Sequence, residues 1–207
     1  MKLLNSFLIF LLIILLNFVF VISYGDFFHN EFEKYNVYSA LPDNEVDELN
    51  QKTLDYLKHS KPLPDFYTPR EISHLQDVKN IFDIIDLLII VSTLVVLMSL
   101  IVYYFKNKKF LFSIFKNGAI IVIIFSLILV SLILLNFNKS FDTFHKTFFE
   151  SGTYTFDPLT EKMVVLYPEN IFSDIAVKIF INSIITSIII ILTFYLIKLT
   201  KLNKFIS

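Results

Sequence analysis

Long apolar runs alternate with polar segments along this chain. Four runs are long enough to cross a hydrocarbon core, which takes about 20 helical residues. They are Leu3–Ile22, Ile81–Tyr104, Asn117–Phe137 and Ile175–Ile197. Between them lie two polar stretches, about 24–80 and 138–174, and one short basic link, Lys106–Lys116. The first run resembles a secretory signal, with Val21-Ile22-Ser23 as a tolerable cleavage context. Its apolar length exceeds the roughly 7–15 residues of a signal h-region, so it is expected to remain as an anchor. The predicted class is mostly α and integral membrane, a single transmembrane domain over residues 1–207. Four transmembrane helices would carry a small extracytoplasmic cap formed by the two polar segments.

The polar stretches have patterns of their own. Asn44–His59 puts Val46, Leu49, Thr53 and Leu57 on one stripe and predicts a short amphipathic helix. "SKPLPDFYTP" (60–69) is a proline-broken connector. Thr68-Pro69-Arg70-Glu71 has the capping-box pattern, with proline at the first helical position. No breaker follows before Lys106, so one helix is expected from Pro69 to about Tyr104. At 1.5 Å per residue it would be about 54 Å long. That exceeds the ~30 Å core, so its first turns must stand in the interface. In the second stretch Phe141, Phe144 and Phe148 continue the third span as a helical stripe, with Gly152 as the expected stop. "FDPL" reads as a turn, "KMVVL" as a short strand or extended piece, and Pro168 closes the segment before the last helix.

Composition agrees with a membrane protein: 55% hydrophobic residues, 18% charged, 24 Phe against 3 Gly, and mean hydropathy +0.66. The absence of cysteine removes disulfides, thiolate nucleophiles and thiolate metal sites together. A net charge of −1 gives no reason to expect nucleic acid. The distribution of that charge matters more. Lys106, Lys108, Lys109 and Lys116 in the link, Lys198, Lys201 and Lys204 in the tail, and Lys2 have no acid among them. All 19 Asp and Glu fall in 24–86 and 138–174. By the positive-inside rule both termini and the link are expected in the cytoplasm, with the acidic segments outside.

Spans two and three, joined by a short link, should be antiparallel neighbours. If the hairpin centres near Leu111, His74 lies 37 residues before it and His145 lies 34 after it. The mismatch is about 5 Å of helix, which sets both imidazoles at one height, level with lipid phosphate, glycerol and ester groups. Arg70, His74, Asp77 and Ile81 share a helix face, so Asp77 is placed to orient His74, and Asp142 stands three residues before His145. Ser73 is about 100° round the helix from His74, poorly placed as its nucleophile, and no G-x-S-x-G stretch exists. Plainer readings stand beside this one. A histidine near a membrane is most often an interfacial polar residue, Asp77 a solvated charge, and a Phe stripe packing or an interfacial belt. His29 and His59 have no such setting. His74, Asp77, His145 and Asp142 also have the ligand types of a hydrolytic metal site, though H-x-x-D on one helix is weak evidence. A lipid-binding or structural role without catalysis would tolerate loss of either histidine. A transporter is disfavoured, because no acid or base sits near mid-bilayer in any span.

Two stretches add a resemblance. "PREISHLQDVKNIF" (69–82) and "FDTFHKTFFESGTYTFDPLTEKMVVLYPENIF" (141–172) carry R-E-x-x-H-x-x-D-V-K, F-H-x-x-F-F, F-D-P and L-[FY]-P-E. In these motifs, its four spans and its length the chain resembles the lipoprotein intramolecular transacylase family of bacterial membrane proteins. It departs at Tyr154, where the family favours Trp. The resemblance implies an acyl shift within a diacylglyceryl-modified lipoprotein, whose sn-2 chain passes to its own α-amino group. It implies lipoprotein substrates and membrane lipid as partners and no cofactor or metal. It also implies that the family's two histidines correspond to His74 and His145. The chemistry suits them: amine attack on an ester needs a base, an acid for the leaving alkoxide and stabilisation of the oxyanion, and imidazole can serve either proton role. The substrate brings its own nucleophile, in keeping with a chain that has no Cys and no placed Ser. On this basis His74 is expected as the base, oriented by Asp77, with His145 as proton donor or oxyanion partner, roles that could be exchanged. Arg70 or Lys79 would hold a glyceryl or peptide carbonyl.

Overall fold

The computed structural model describes residues 1–41, 43–149 and 154–199, with the side chains of 43, 44, 198 and 199 left aside. The helices are α1 (Lys2–Ser23), α2 (Gly25–Lys34), α3 (Val37–Ala40), α4 (Asp43–His59), α5 (Pro69–Lys106), α6 (Lys108–Leu135), α7 (Phe137–Phe148), α8 (Met163–Leu166) and α9 (Glu169–Leu199). Among the described residues there is no strand. Helices α1, α5, α6 and α9 are long and apolar enough to cross a membrane. The packing divides the chain into two compact units. Among the described residues one holds 1–21, 87–131 and 177–199, the other 22–41, 43–86, 132–149 and 154–176.

The first unit consists of the apolar lengths of the four long helices. Ile9 and Ile13 of α1, Val96 of α5, and Leu111, Ile114 and Val122 of α6 form its buried centre. Large apolar side chains such as Leu94, Ile101, Ile124 and Ile189 point away from that centre, as lipid-facing residues must. Without water outside, apolar burial gives little drive to associate, so close packing and polar contacts matter more. The Ser99 hydroxyl donates to Asn5 Oδ1 at 2.7 Å. Asn17 Nδ2 donates to Ile13 O at 2.7 Å and to Thr186 Oγ1 at 3.4 Å. At Gly118 α6 comes close against α1. A Cβ built there would lie 2.7 Å from Ile9 Cγ2 and 2.8 Å from the Ser6 carbonyl oxygen.

The second unit is built on aromatic packing. The predicted stripe of α4 is its buried face: Val46, Leu49, Thr53 and Leu57 are all buried. Phe28 and Phe32 of α2 pack on Tyr167, with ring centroids 6.2 and 6.1 Å apart. The Tyr167 hydroxyl donates to Asn50 Oδ1 at 3.0 Å, and Thr53 Oγ1 and Tyr67 OH share a hydrogen bond of 2.7 Å. Lys34 pairs with Asp174 at the start of α9, and Tyr35 OH donates to the same carboxylate at 2.6 Å.

Three local expectations differ from the structure. The hairpin turns at Asn107, whose side chain accepts from Phe110 N at 2.9 Å and caps α6. That is four residues before Leu111, which is buried inside α6. The third span does not run on into the Phe stripe. Asn136 leaves helical geometry (φ −161°, ψ 88°) and accepts from Lys139 N at 3.0 Å, so α7 is a separate helix with its own cap. "KMVVL" is no strand: Met163–Leu166 forms the single turn α8 despite its β-branched residues. The "FDPL" turn is present, closed by Thr160 N and Glu161 N donating to Asp157 O. The proposed stop at Gly152 lies outside the described residues.

The crossing at Gly118 gives a first prediction. Gly118→Val should destabilise the spanning unit by about 1–3 kcal/mol, the range for overpacking, because one neighbour is backbone. Thermal unfolding in detergent should show a lowered midpoint, whereas Ile121→Val on an exposed position of the same helix should leave it unchanged.

Candidate active site

The first turn of α5 sets the geometry. Thr68 Oγ1 accepts from Glu71 N at 3.3 Å, and Glu71 Oε2 accepts from Thr68 N at 2.6 Å, which is the reciprocal capping box expected from the sequence. Glu71 does more than cap. It is wholly buried, and its Oε1 accepts from Met163 N at 2.5 Å, joining the start of α5 to the start of α8. Its neighbour Arg70 donates through Nη1 to both oxygens of Glu161, at 3.1 and 3.2 Å, and through Nη2 to Thr155 O. Glu161 Oε2 also accepts from Asp157 N at 2.8 Å. Two adjacent side chains thus fasten the whole 155–163 segment to α5.

One turn further along α5, His74 stacks against His145 of α7, with ring centroids 6.2 Å apart and planes 19° from parallel. Each is only 7% exposed. Aromatic rings enclose the pair. Phe149 lies 4.7 Å from His74 and 5.3 Å from His145. Phe156 meets His74 edge-on at 5.4 Å, while Phe141 and Tyr154 lie 4.1 and 5.0 Å from His145. The equal-height argument from the hairpin brings the right residues together although its details change. His74 lies 33 residues before Asn107 and His145 lies 38 after it, and the break at Asn136 re-aims α7.

The two rings are not equivalent. His145 Nδ1 lies 2.8 Å from Phe141 O. A carbonyl only accepts, so the neutral ring carries its proton on Nδ1 and leaves the Nε2 lone pair free. His74 Nδ1 is buried and has no hydrogen-bond partner among the described residues. Both rings stand outside the spans expected from hydropathy, and both resist protonation. Burial, then the nearby His145, pushes His74 down to about 4. Burial also lowers His145, but there the Phe141 carbonyl and the carboxylates of Glu169 and Asp142 oppose it.

The other residues singled out from the sequence fall elsewhere. Asp77, half-buried, makes no hydrogen bond to His74. Asp142 pairs with Lys146 at 2.6 Å and reaches His145 only through its charge. Lys79, nearly buried, is held by Asp83 at 2.8 Å. Arg70 is engaged with Glu161 and Thr155 as described, and its side chain remains about half exposed. Among the described residues no group of three or more His, Asp or Glu is placed to hold a metal ion. Sequence reasoning missed Glu161, Phe149 and Phe156. Glu161 and Phe156 gain meaning only when the 155–161 turn folds back on α5, a contact that no local spacing announces, whereas Phe149 stands four residues after His145, a spacing that could have found it.

The lipoprotein intramolecular transacylase Lit family model matches residues 3–172. The chain belongs to that family. Among solved structures it is similar to the membrane-integral lipoprotein intramolecular transacylase Lit from Bacillus cereus, with 26% identity and a TM-score of 0.86, covering 97% of this chain and 96% of that one. A variant of that protein with one histidine replaced by arginine matches at 25% identity and TM-score 0.80, covering 98% and 92%. A variant with the histidine replaced by alanine matches at 25% and 0.80, covering 97% and 94%. No curated protein sequence matches the chain. Membership in a membrane-integral family accords with the four apolar helices, and the protein is a multi-pass membrane protein.

The depressed titration of His74 predicts an acid sensitivity with a definite sign. The unfolded chain takes up this proton near 6.5 and the folded one only near 4. The associated stability is therefore full above about pH 6.5 and is lost as pH falls towards 4. In wild type the thermal midpoint should fall across that window. His74→Phe should flatten that part of the profile; an unchanged slope would show that His74 does not carry it.

Proposed function

We propose that His74 and His145 carry out the proton transfers and charge stabilisation of an acyl shift within a diacylglyceryl-modified lipoprotein, the reaction of the family to which this chain belongs. The observation that carries this reading is the stacked and buried imidazole pair, with His145 Nδ1 hydrogen-bonded to the Phe141 carbonyl.

The roles follow from the electrostatics, and they exchange those expected from the sequence. His145 offers Nε2 as the base, and the carbonyl and carboxylates around it support the charge it gains. His74 stays neutral across the physiological range and offers a ring N–H to the developing oxyanion, as a neutral electrophile. The substrate's α-amine attacks the sn-2 ester carbon and passes one N–H proton to His145 Nε2. The tetrahedral intermediate then breaks the bond between the acyl carbon and the glyceryl oxygen, and that oxygen takes the proton back from His145. The products are an amide on the substrate's nitrogen and a free sn-2 hydroxyl, with no covalent acyl-enzyme and no net proton change. An amine that arrives as ammonium first loses one proton to water. Nucleophile and ester belong to one molecule, so holding them together supplies much of the acceleration. The lysine asymmetry supports an orientation with both termini inside and this site on the outer face of the cell membrane.

The test is fragment-ion mass spectrometry of a reporter lipoprotein's N-terminal peptide from cells lacking their own N-acylating enzyme. The acyl shift conserves mass, so fragments must locate the chain. Wild-type protein should place one acyl chain on nitrogen. His74→Ala and His145→Ala should each lower that product by about 10²-fold or more, the usual worth of acid–base catalysis. A well-expressed variant of either histidine that still N-acylates the reporter at the wild-type level would sink the assignment.

A further inference from the structure

The segment that covers His74 is held by a charge pair that touches neither imidazole. Arg70 and His74 lie one helical turn apart on α5. The Arg70 guanidinium sits 5.0 Å over the ring of Phe156, and that ring lies T-shaped against His74 with centroids 5.4 Å apart. Phe156 is therefore a wedge between the arginine and the histidine. Its own backbone is tethered on both sides. Thr155 O accepts from Arg70, and Asp157 N donates to Glu161, the carboxylate that grips Arg70. Glu161 is 7% exposed, so its charge is shielded from water and its pairing with Arg70 is screened less than a surface pair. Two further bonds close the turn: Leu159 N donates to Asp157 Oδ1 at 2.9 Å, and Glu161 N donates to Asp157 O at 2.8 Å.

We propose that Arg70 and Glu161 are positioning residues for His74: their ion pair clasps the 155–161 turn to α5 and so keeps Phe156 on the imidazole, fixing the ring and excluding water from it. The proposal rests on the reading of His74 as a reacting group and adds what holds it ready. Neither Arg70 nor Glu161 touches the reacting atoms. The groups that face His74 are Phe156 from the clasped turn, His145 from α7 and Phe149 just beyond it. Among the described residues the charged or titratable groups near it are His145, Asp77 one turn further along α5 and, through Phe156, Arg70. Opening the clasp removes Phe156 and admits water on one face while the contacts of His145 with Phe141 and Phe149 remain.

The experiment is deuterium exchange at the imidazole C2 position of the full-length protein in detergent or bilayers, read by peptide mass spectrometry across pH. The midpoint of exchange against pH is the pKa of that histidine. In wild type His74 should have its midpoint near 4. Glu161→Gln, which is isosteric, and Arg70→Gln should each move it up by about one unit or more toward 6.5, with faster exchange at every pH. Phe156→Ala should do the same, and Phe156→Leu, which restores an apolar cover, should return it toward wild type. His145, which keeps Phe141 and Phe149, should move less than His74 in every variant. If folded Glu161→Gln leaves His74 unmoved, the clasp proposal is wrong, and Glu161→Gln decides alone should Arg70→Gln fail to accumulate. Equal shifts at His74 and His145 would also overturn it, since they would report general loosening. The reading beneath it fails differently: active His74→Ala protein would remove the catalytic role while leaving the exchange results intact.

Discussion

Everything at this site depends on one buried carboxylate. Glu71 has no exposure at all, and each of its oxygens is occupied by a backbone N–H, one at the cap of α5 and one at the start of α8. A charge in such a place is costly unless its hydrogen bonds are complete. Here the bonds do two separate jobs. They stop the helix that carries His74 from fraying, and they fix the return of the chain from the turn that covers it. Loss of Glu71 would therefore disturb both together, although it lies three residues from the imidazole and has no part in the chemistry.

A second constraint is charge economy. Two imidazolium ions with rings 6.2 Å apart would repel by roughly 3 kcal/mol at an effective dielectric of about 20. Aromatic enclosure adds a desolvation penalty to either charge. The pair can hold one proton beyond neutrality far more readily than two, and the local fields decide where it goes. The Phe141 carbonyl, Glu169 and Asp142 favour His145. Asymmetry of this kind is what the proposed division into base and electrophile requires of two chemically identical side chains.

Some of this was legible in the sequence. The capping box, the α4 stripe, the unbroken α5 and the pairing of His74 with His145 all follow from short-range spacing and hydropathy, which are strong signals in a chain with long apolar runs. The failures have a common cause. Asn107 and Asn136 are single residues that end or start helices by accepting a backbone N–H, and in an apolar run one asparagine weighs little against its neighbours. Met163–Leu166 looks extended by composition, and becomes a helical turn in a place where Glu71 receives its first N–H. Asp77 was assigned to His74 by helical spacing alone. Spacing puts both residues near one face but does not specify where either side chain goes.

The same limit explains why the roles of the two histidines had to wait for the fold. Helical periodicity places both rings at one level, and at that stage they differ only in their neighbours along the chain. Two contacts distinguish them. Within α7 the Phe141 carbonyl, four residues back, meets His145 Nδ1, while His74 Nδ1 has no partner among the described residues. Phe156 is brought to His74 by a turn more than 80 positions away in sequence. The residue types required for an acyl shift can be read from a chain of this length. Phe141, Glu169 and Asp142 bear on His145, whereas the cover over His74 is held by Arg70 and Glu161 beside the Glu71 cap, so the surroundings of the two imidazoles are specified by different side chains.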